Sequence, residues 1–96
     1  MVIGVLTLEL DLAQARSLKD KRAVLNRVKK RVQNKFNASI AEIDGHELWN
    51  YACLGVAAVS NDQRHCNRVL SKIVDHVEQI RDCEIADYAT EFLRTD

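Results

Sequence analysis

Apolar and polar residues alternate along the first dozen positions. Val2, Leu6, Leu8, Leu10 and Leu12 share one face, and Ile3, Val5, Thr7, Glu9 and Asp11 share the other. A period of two marks a strand, here with one buried face and a second that turns polar toward its end. Past residue 16 the period changes. Leu18, Leu25, Val28, Val32 and Phe36 recur at mostly helical spacing, and Val24 widens the stripe. The pattern predicts a helix over residues 18–35, with Leu18 contributing to the core. Ser17 followed by Asp20 has the form of a capping box, with Asp in place of the usual Glu or Gln.

The next stretch, ASIAEID at 38–44, reads as a short strand. Ile40 and Ile43 fall on opposite faces, which leaves its register open. Gly45 ends it, HELWNY follows, and ACLGVAAVS is apolar on both faces, as a central strand would be. Ser60 or Asn61 offers an N-cap, and Asp62 suits the positive end of a helix. Cys66, Val69, Leu70, Ile73, Val77 and Ile80 predict the inward stripe of a second helix, roughly 62–81. EIADYATEFL, 84–93, reads as an edge strand. The order βαββαβ predicts one α+β domain over residues 1–96 with a ferredoxin-like plan. In that plan a four-stranded antiparallel sheet carries two helices on one face.

Composition narrows the class. The chain has 96 residues, 47% hydrophobic and 29% charged, which suits a folded globular domain and argues against disorder. No apolar run approaches a membrane span, and the opening MVIGVLTLEL lacks a basic n-region and carries Glu9. We therefore expect a cytoplasmic protein with no membrane association. Cys53, Cys66 and Cys83 are odd in number and lack C-x-x-C spacing, so they read as reduced thiols.

Charge changes the picture most. The formal net charge is zero, yet residues 16–35 hold nine cations (Arg16, Lys19, Lys21, Arg22, Arg27, Lys29, Lys30, Arg31 and Lys35) against the single anion Asp20. The segment is +8 and the remainder −8. Such a dipolar chain can orient an anionic partner whatever its total charge.

Three stretches together, RSLKDKR at 16–22, FNASIAEID with HELW at 36–49, and LGVAAVSND at 54–62, resemble the YlxP-like family of small uncharacterised bacterial proteins, a domain of unknown function. The similarity runs over almost the entire chain. The resemblance implies a ferredoxin-like fold and a cytoplasmic bacterial protein. It also implies a genomic neighbourhood shared with translation initiation factor 2 and ribosome-binding factor A, and so a link to ribosome maturation or translation. It carries over no catalytic or binding residues.

The basic helix, with Arg16, Lys19, Lys21, Arg22, Arg27, Lys29, Lys30 and Arg31, can track phosphates of a structured RNA or a ribosomal subunit. The bland readings are a solvated face and an acidic protein partner. Base stacking on the sheet, in the manner of RNA-recognition motifs, is disfavoured because the first strand has no aromatic and the third has only Tyr51. Trp49 is either an exposed partner anchor or, as we expect, a plug at the start of the third strand. Ile3 and Val5 would lie on an uncovered sheet face, where a homodimer could form. Asp44, His46 and Glu47, and His65 beside Cys66, lack the spacing of a zinc site, so no metal or other cofactor is expected. His76 is expected on the solvent side of the second helix.

Catalysis finds little support. Acylphosphatases share the strand order, but their glycine-rich phosphate loop is replaced here by DLAQARSL, which keeps Arg16 and lacks the glycines. Ser60, Asp62 and His65 have no nucleophile elbow. The expected function is a non-enzymatic accessory factor touching RNA through its basic helix. A homodimeric protein-interaction module and a small phosphate-compound hydrolase are the alternatives.

Overall fold

A computed structural model describes residues 1–95. Strand β1 (Val2–Asp11) leads to helix α1 (Leu18–Lys35), then β2 (Ser39–Asp44), β3 (Tyr51–Ser60), α2 (Gln63–Glu78) and β4 (Glu84–Arg94). The sheet order is β2-β3-β1-β4, and every neighbouring pair is antiparallel. This is the ferredoxin-like arrangement that the βαββαβ order predicts.

Alternation in β1 does what the pattern requires. Leu6, Leu8 and Leu10 are fully buried beneath the helices, while Ile3, Val5, Thr7 and Glu9 look outward and are half-buried. Burying each such leucine is worth roughly 1.5–3 kcal/mol, so this strand supplies much of the core's driving force. The same core takes Val28 and Val32 from α1, and Leu70, Ile73 and Val77 from α2. At Gly4 the second helix comes so close that an added Cβ would meet Leu70 Cδ1 at 2.9 Å.

The register of β2, open in the sequence, is settled by its pairing with β3. Ile40 pairs with Val56 and faces the core, but pairing shifts between Glu42 and Asp44. Ile43 sits in the irregularity, 54% exposed, against Gly55 on the open face. Ile40 and Ile43 thus take opposite faces, as alternation requires, and the bulge changes the pairing only beyond Glu42, where Asp44 meets Cys53.

The helix starts differ in how far they match expectation. Ser17 caps α1, its Oγ accepting from the Asp20 N–H at 3.1 Å. Asp62, not Ser60 or Asn61, caps α2, accepting from Arg64 N–H. Ser60 Oγ instead accepts from Asp62 N–H at 3.1 Å and so shapes the approach to that cap. Helix α2 also ends earlier than the stripe implied, at Glu78, and Ile80 is buried just beyond it. Leu18, expected in the core, is 37% exposed because it opens the helix before the sheet covers it.

Candidate nucleic-acid interface

Helix α1 turns its valines and Leu25 onto the sheet, which leaves its cations on the outer surface. Lys19, Arg22, Asn26 and Lys30 follow one another at three- and four-residue steps and form an exposed ridge. Arg16 and Arg31 are exposed beside it, and Lys29 is half-buried. Among the described residues, none of these cations has a carboxylate within ion-pair distance.

Two of the expected contacts are otherwise engaged. Lys21 is 2% exposed and cannot reach a phosphate. Its ammonium donates to Gly45 O at 2.7 Å and Leu48 O at 2.6 Å, and pairs with Glu42 Oε2 at 2.8 Å. Two of its three protons are thus spent on the loop carbonyls, and the Glu42 contact is an ion pair. Arg27 reaches toward the second helix, donating to Arg81 O at 3.2 Å and pairing with Asp82 at 3.1 Å. It ties α1 to the turn after α2 and is at most a marginal ligand.

Lys21 thereby joins two of the stretches that carry the family resemblance, RSLKDKR and HELW. The loop from Gly45 to Asn50 is pinned over the first turn of α1. Gly45 takes φ +79°, and a Cβ there would strike the Tyr51 ring at 2.7 Å. With the Gly45 and Leu48 carbonyls turned inward to the ammonium, the Leu48 and Trp49 side chains are each 51% exposed. Trp49 is thus no core plug.

The structure adds cations that a count along the first helix missed. Arg64, Arg68 and Lys72 lie four residues apart on α2 and are all exposed. Their i, i+4, i+8 spacing was the available signal. The two helices run antiparallel, since Arg27 meets Asp82 while Phe36 meets His76. Between them lies an open cleft of about 210 Å³ lined by Lys35, Phe36, Lys72, Asp75, His76 and Gln79. Lys35 of α1 and Lys72 of α2 thus face one cleft, together with Asp75.

His76 is not on the solvent side. It is half-buried, packs edge-on to Phe36 at 5.8 Å, and its Nε2 is buried without a hydrogen-bond partner. Burial, and then the Lys35 and Arg31 charges, hold its pKa below the ordinary value.

The open sheet face has the opposite character. Leu93, Ile3 and Val59 form an apolar row in register across β4, β1 and β3. Farther along, Asp87, Glu9 and Asp11 bring negative charge. Tyr51 Oη donates to Glu9 Oε1 at 2.7 Å, and that bond to a carboxylate raises the phenol pKa. A tethered tyrosine among acids is a poor stacking platform for RNA. A cavity of about 470 Å³ along β4 is lined by Glu78, Glu84 and Asp87 and would also repel phosphate.

The hydrolase reading finds no phosphate cradle. At the start of α1, Asp20 Oδ2 accepts from Arg16 N–H at 3.0 Å and Ser17 Oγ accepts from Asp20 N–H. Two of the backbone donors at this helix start are thus engaged by internal oxygens. Among the described residues no three His, Cys, Asp or Glu side chains converge as a metal-holding group. All three cysteines are free and buried, and burial raises the pKa of Cys53 and Cys83.

Fold and surface define a ferredoxin-like α+β domain with a basic helical layer and an acidic, partly apolar sheet face. Residues 3–90 match the family described as a protein of unknown function, DUF503, and the chain belongs to that family. It is 37% identical over 91 residues to the uncharacterized protein YlxP of Bacillus subtilis (strain 168), covering 95% of this chain and 99% of the relative. Among solved structures, it resembles a de novo designed protein with ferredoxin fold, at TM-score 0.53 and 14% identity over all of this chain and 87% of that one. It also aligns, at TM-score 0.49 and 13% identity, with 51% of a C-terminal segment of the alpha subunit of aIF2 from Pyrococcus abyssi. The designed protein's likeness is one of fold alone. No helix is long and apolar enough to cross a membrane.

Proposed function

We propose that this chain is a non-enzymatic accessory factor that grips the phosphate backbone of structured RNA, ribosomal RNA being the target class, with its helical layer. The observation that carries this reading is the set of exposed cations without carboxylate partners on the helical layer, Arg16, Lys19, Arg22 and Lys30 at and along α1 and Arg64, Arg68 and Lys72 along α2. Solubility alone favours interspersed signs, and this surface separates them. Each neutralised phosphate releases counterions, so affinity falls steeply with salt. Anisotropy of a labelled ribosomal-RNA fragment at two salt concentrations tests the reading. Binding that ignores salt, or no binding at low salt, would count against it.

A second reading is favoured by the open sheet face. Val59 and Leu93 are 66% and 51% exposed on either side of Ile3. On the same face a shallow groove of about 300 Å³ is lined by Val5, Ile43 and Ala57. Such a patch suits self-association. A homodimer formed there would display two basic layers outward, so the two readings are compatible.

A further inference from the structure

We infer that the outer edge of β4 is a pairing edge for a second copy of this chain. Two β4 strands run antiparallel about Thr90 and join the two four-stranded sheets into one. This goes beyond the RNA reading and uses a different surface from the open sheet face.

Backbone direction comes first. Thr95 N–H donates to Met1 O at 2.9 Å, so the odd-numbered residues of β4 beyond its bulge turn their backbone groups toward β1. Tyr88 N–H instead donates to the neighbouring carboxylate, Asp87 Oδ1, at 2.9 Å. Backbone groups of a strand alternate in direction, so Tyr88, Thr90 and Phe92 present theirs to the free edge. β4 is last in the sheet order, and among the described residues no strand covers that edge.

Native sheets usually blunt an edge by brevity, a bulge, proline or lysine. The other edge follows that rule. β2 has six residues, and its pairing shifts between Glu42 and Asp44. β4 has 11 residues with no proline or lysine among them. Its irregularity falls near the start, opposite Glu9 and Leu10, and pairing is regular from Asp87 to Arg94. The edge residues Tyr88, Thr90 and Phe92 are of the aromatic and β-branched kinds that strands favour. Asp87 covers one edge donor and must swing aside when a strand is added.

Register and charge select a second copy as the occupant. With Thr90 opposite its own counterpart, Tyr88 falls opposite Phe92 and Ala89 opposite Glu91. Aromatic and Thr–Thr cross-strand pairs are stabilising, and no like charges stand directly opposite. Centring on Ala89 would set Asp87 against Glu91, and centring on Glu91 would set that residue against itself. The Thr90 register also brings the exposed Arg94 to Ala86 of the other copy. Ala86 lines the cavity of about 470 Å³ that Glu78, Glu84 and Asp87 make acidic. Symmetry supplies this contact twice, as a two-fold interface requires. The paired strands keep both helical layers on the same side of the joined sheet.

Light scattering of the full chain over a concentration series should show a mass rising from one chain toward two. Thr90→Pro should hold it at one chain, since proline removes an N–H that β1 does not use. Thr90→Lys sets two cations face to face, keeps the backbone donor, and should do the same. Circular dichroism checks that both variants fold. Thr90→Cys tests the register. Opposed residues of a hydrogen-bonded antiparallel pair have Cα atoms about 5.5 Å apart, within disulfide reach. Mild oxidation should link Thr90→Cys chains in pairs and leave Leu93→Cys chains single, because Leu93 faces Asp87 of the other copy. The native cysteines are all buried. A chain that stays single at every concentration would overturn the inference. So would a dimer that survives both Thr90→Pro and Thr90→Lys, or equal cross-linking at the two cysteine positions. A dimer that only Ile3→Lys dissolves would place the contact on the open face and overturn it too.

Discussion

At the residue scale, Lys21 separates what charge implies from what charge does. It belongs to the basic run, yet its buried ammonium is a structural pin, bonded to two loop carbonyls and paired with Glu42. Lys21→Met would leave two loop carbonyls and Glu42 without their partner, and should cost about 3 kcal/mol in chemical denaturation. Lys19→Met, at an exposed position, should change stability by less than about 0.5 kcal/mol in the same assay. Gly45→Ala puts a Cβ into the Tyr51 ring at a positive φ and should destabilise by about 1–3 kcal/mol. His76 carries a pH dependence of definite sign. Its folded pKa lies below the ordinary 6.5, so the unfolded chain takes up the proton more readily. The associated stability is complete above about pH 6.5 and is lost as pH falls through that value toward the lower folded pKa. Burial first, and then the Lys35 and Arg31 charges, oppose protonation there. Urea midpoints at several pH values should fall less steeply on acidification in His76→Gln than in the parent chain.

At the element scale, α1 does two jobs on two faces. Val24, Leu25, Val28 and Val32 fasten it to the sheet, and the outer ridge is left free for an anion. The faces can therefore be separated by mutation. Reversing Lys19, Arg22 and Lys30 together to Glu should preserve the far-ultraviolet circular dichroism spectrum and cooperative melting but abolish RNA binding at moderate salt. Neutralising Arg64, Arg68 and Lys72 on α2 should lower the salt slope of binding by about 0.7–0.9 for each phosphate that the variant no longer neutralises. An unchanged slope would confine the interface to α1. The β2 bulge has its own consequence. It shifts the pairing of Asp44 onto Cys53 while leaving Glu42 pointed at Lys21.

At the scale of the whole molecule, a formal charge of zero conceals two unlike faces. Exposed cations dominate the helices, whereas Glu9, Asp11, Asp87 and Glu91 lie on the open side of the sheet. The field should bring RNA in helix-first. The apolar Leu93–Ile3–Val59 row is left for another partner. Light scattering across a concentration series, with Ile3→Lys as the comparison, tests self-association there. A dimer that Ile3→Lys converts to monomer supports the sheet-face interface, and a monomer at every concentration would sink it.

The local periods in the chain were enough to order the six elements and bury the right faces. Alternation and helical spacing are properties of neighbouring residues, as is the pairing of Ser17 with Asp20. Tertiary structure alone decided the rest. Lys21 could not be read as a pin because its carbonyl partners lie 24 and 27 positions away. Trp49 read as a plug because an isolated tryptophan usually gains most from burial, and only the loop's attachment to that ammonium turns it outward. The cations of α2 join the basic layer only because packing sets the two helices side by side across a shared cleft. Charge is written into the chain residue by residue, but whether a charge is free to meet a partner depends on which groups folding brings within hydrogen-bonding reach.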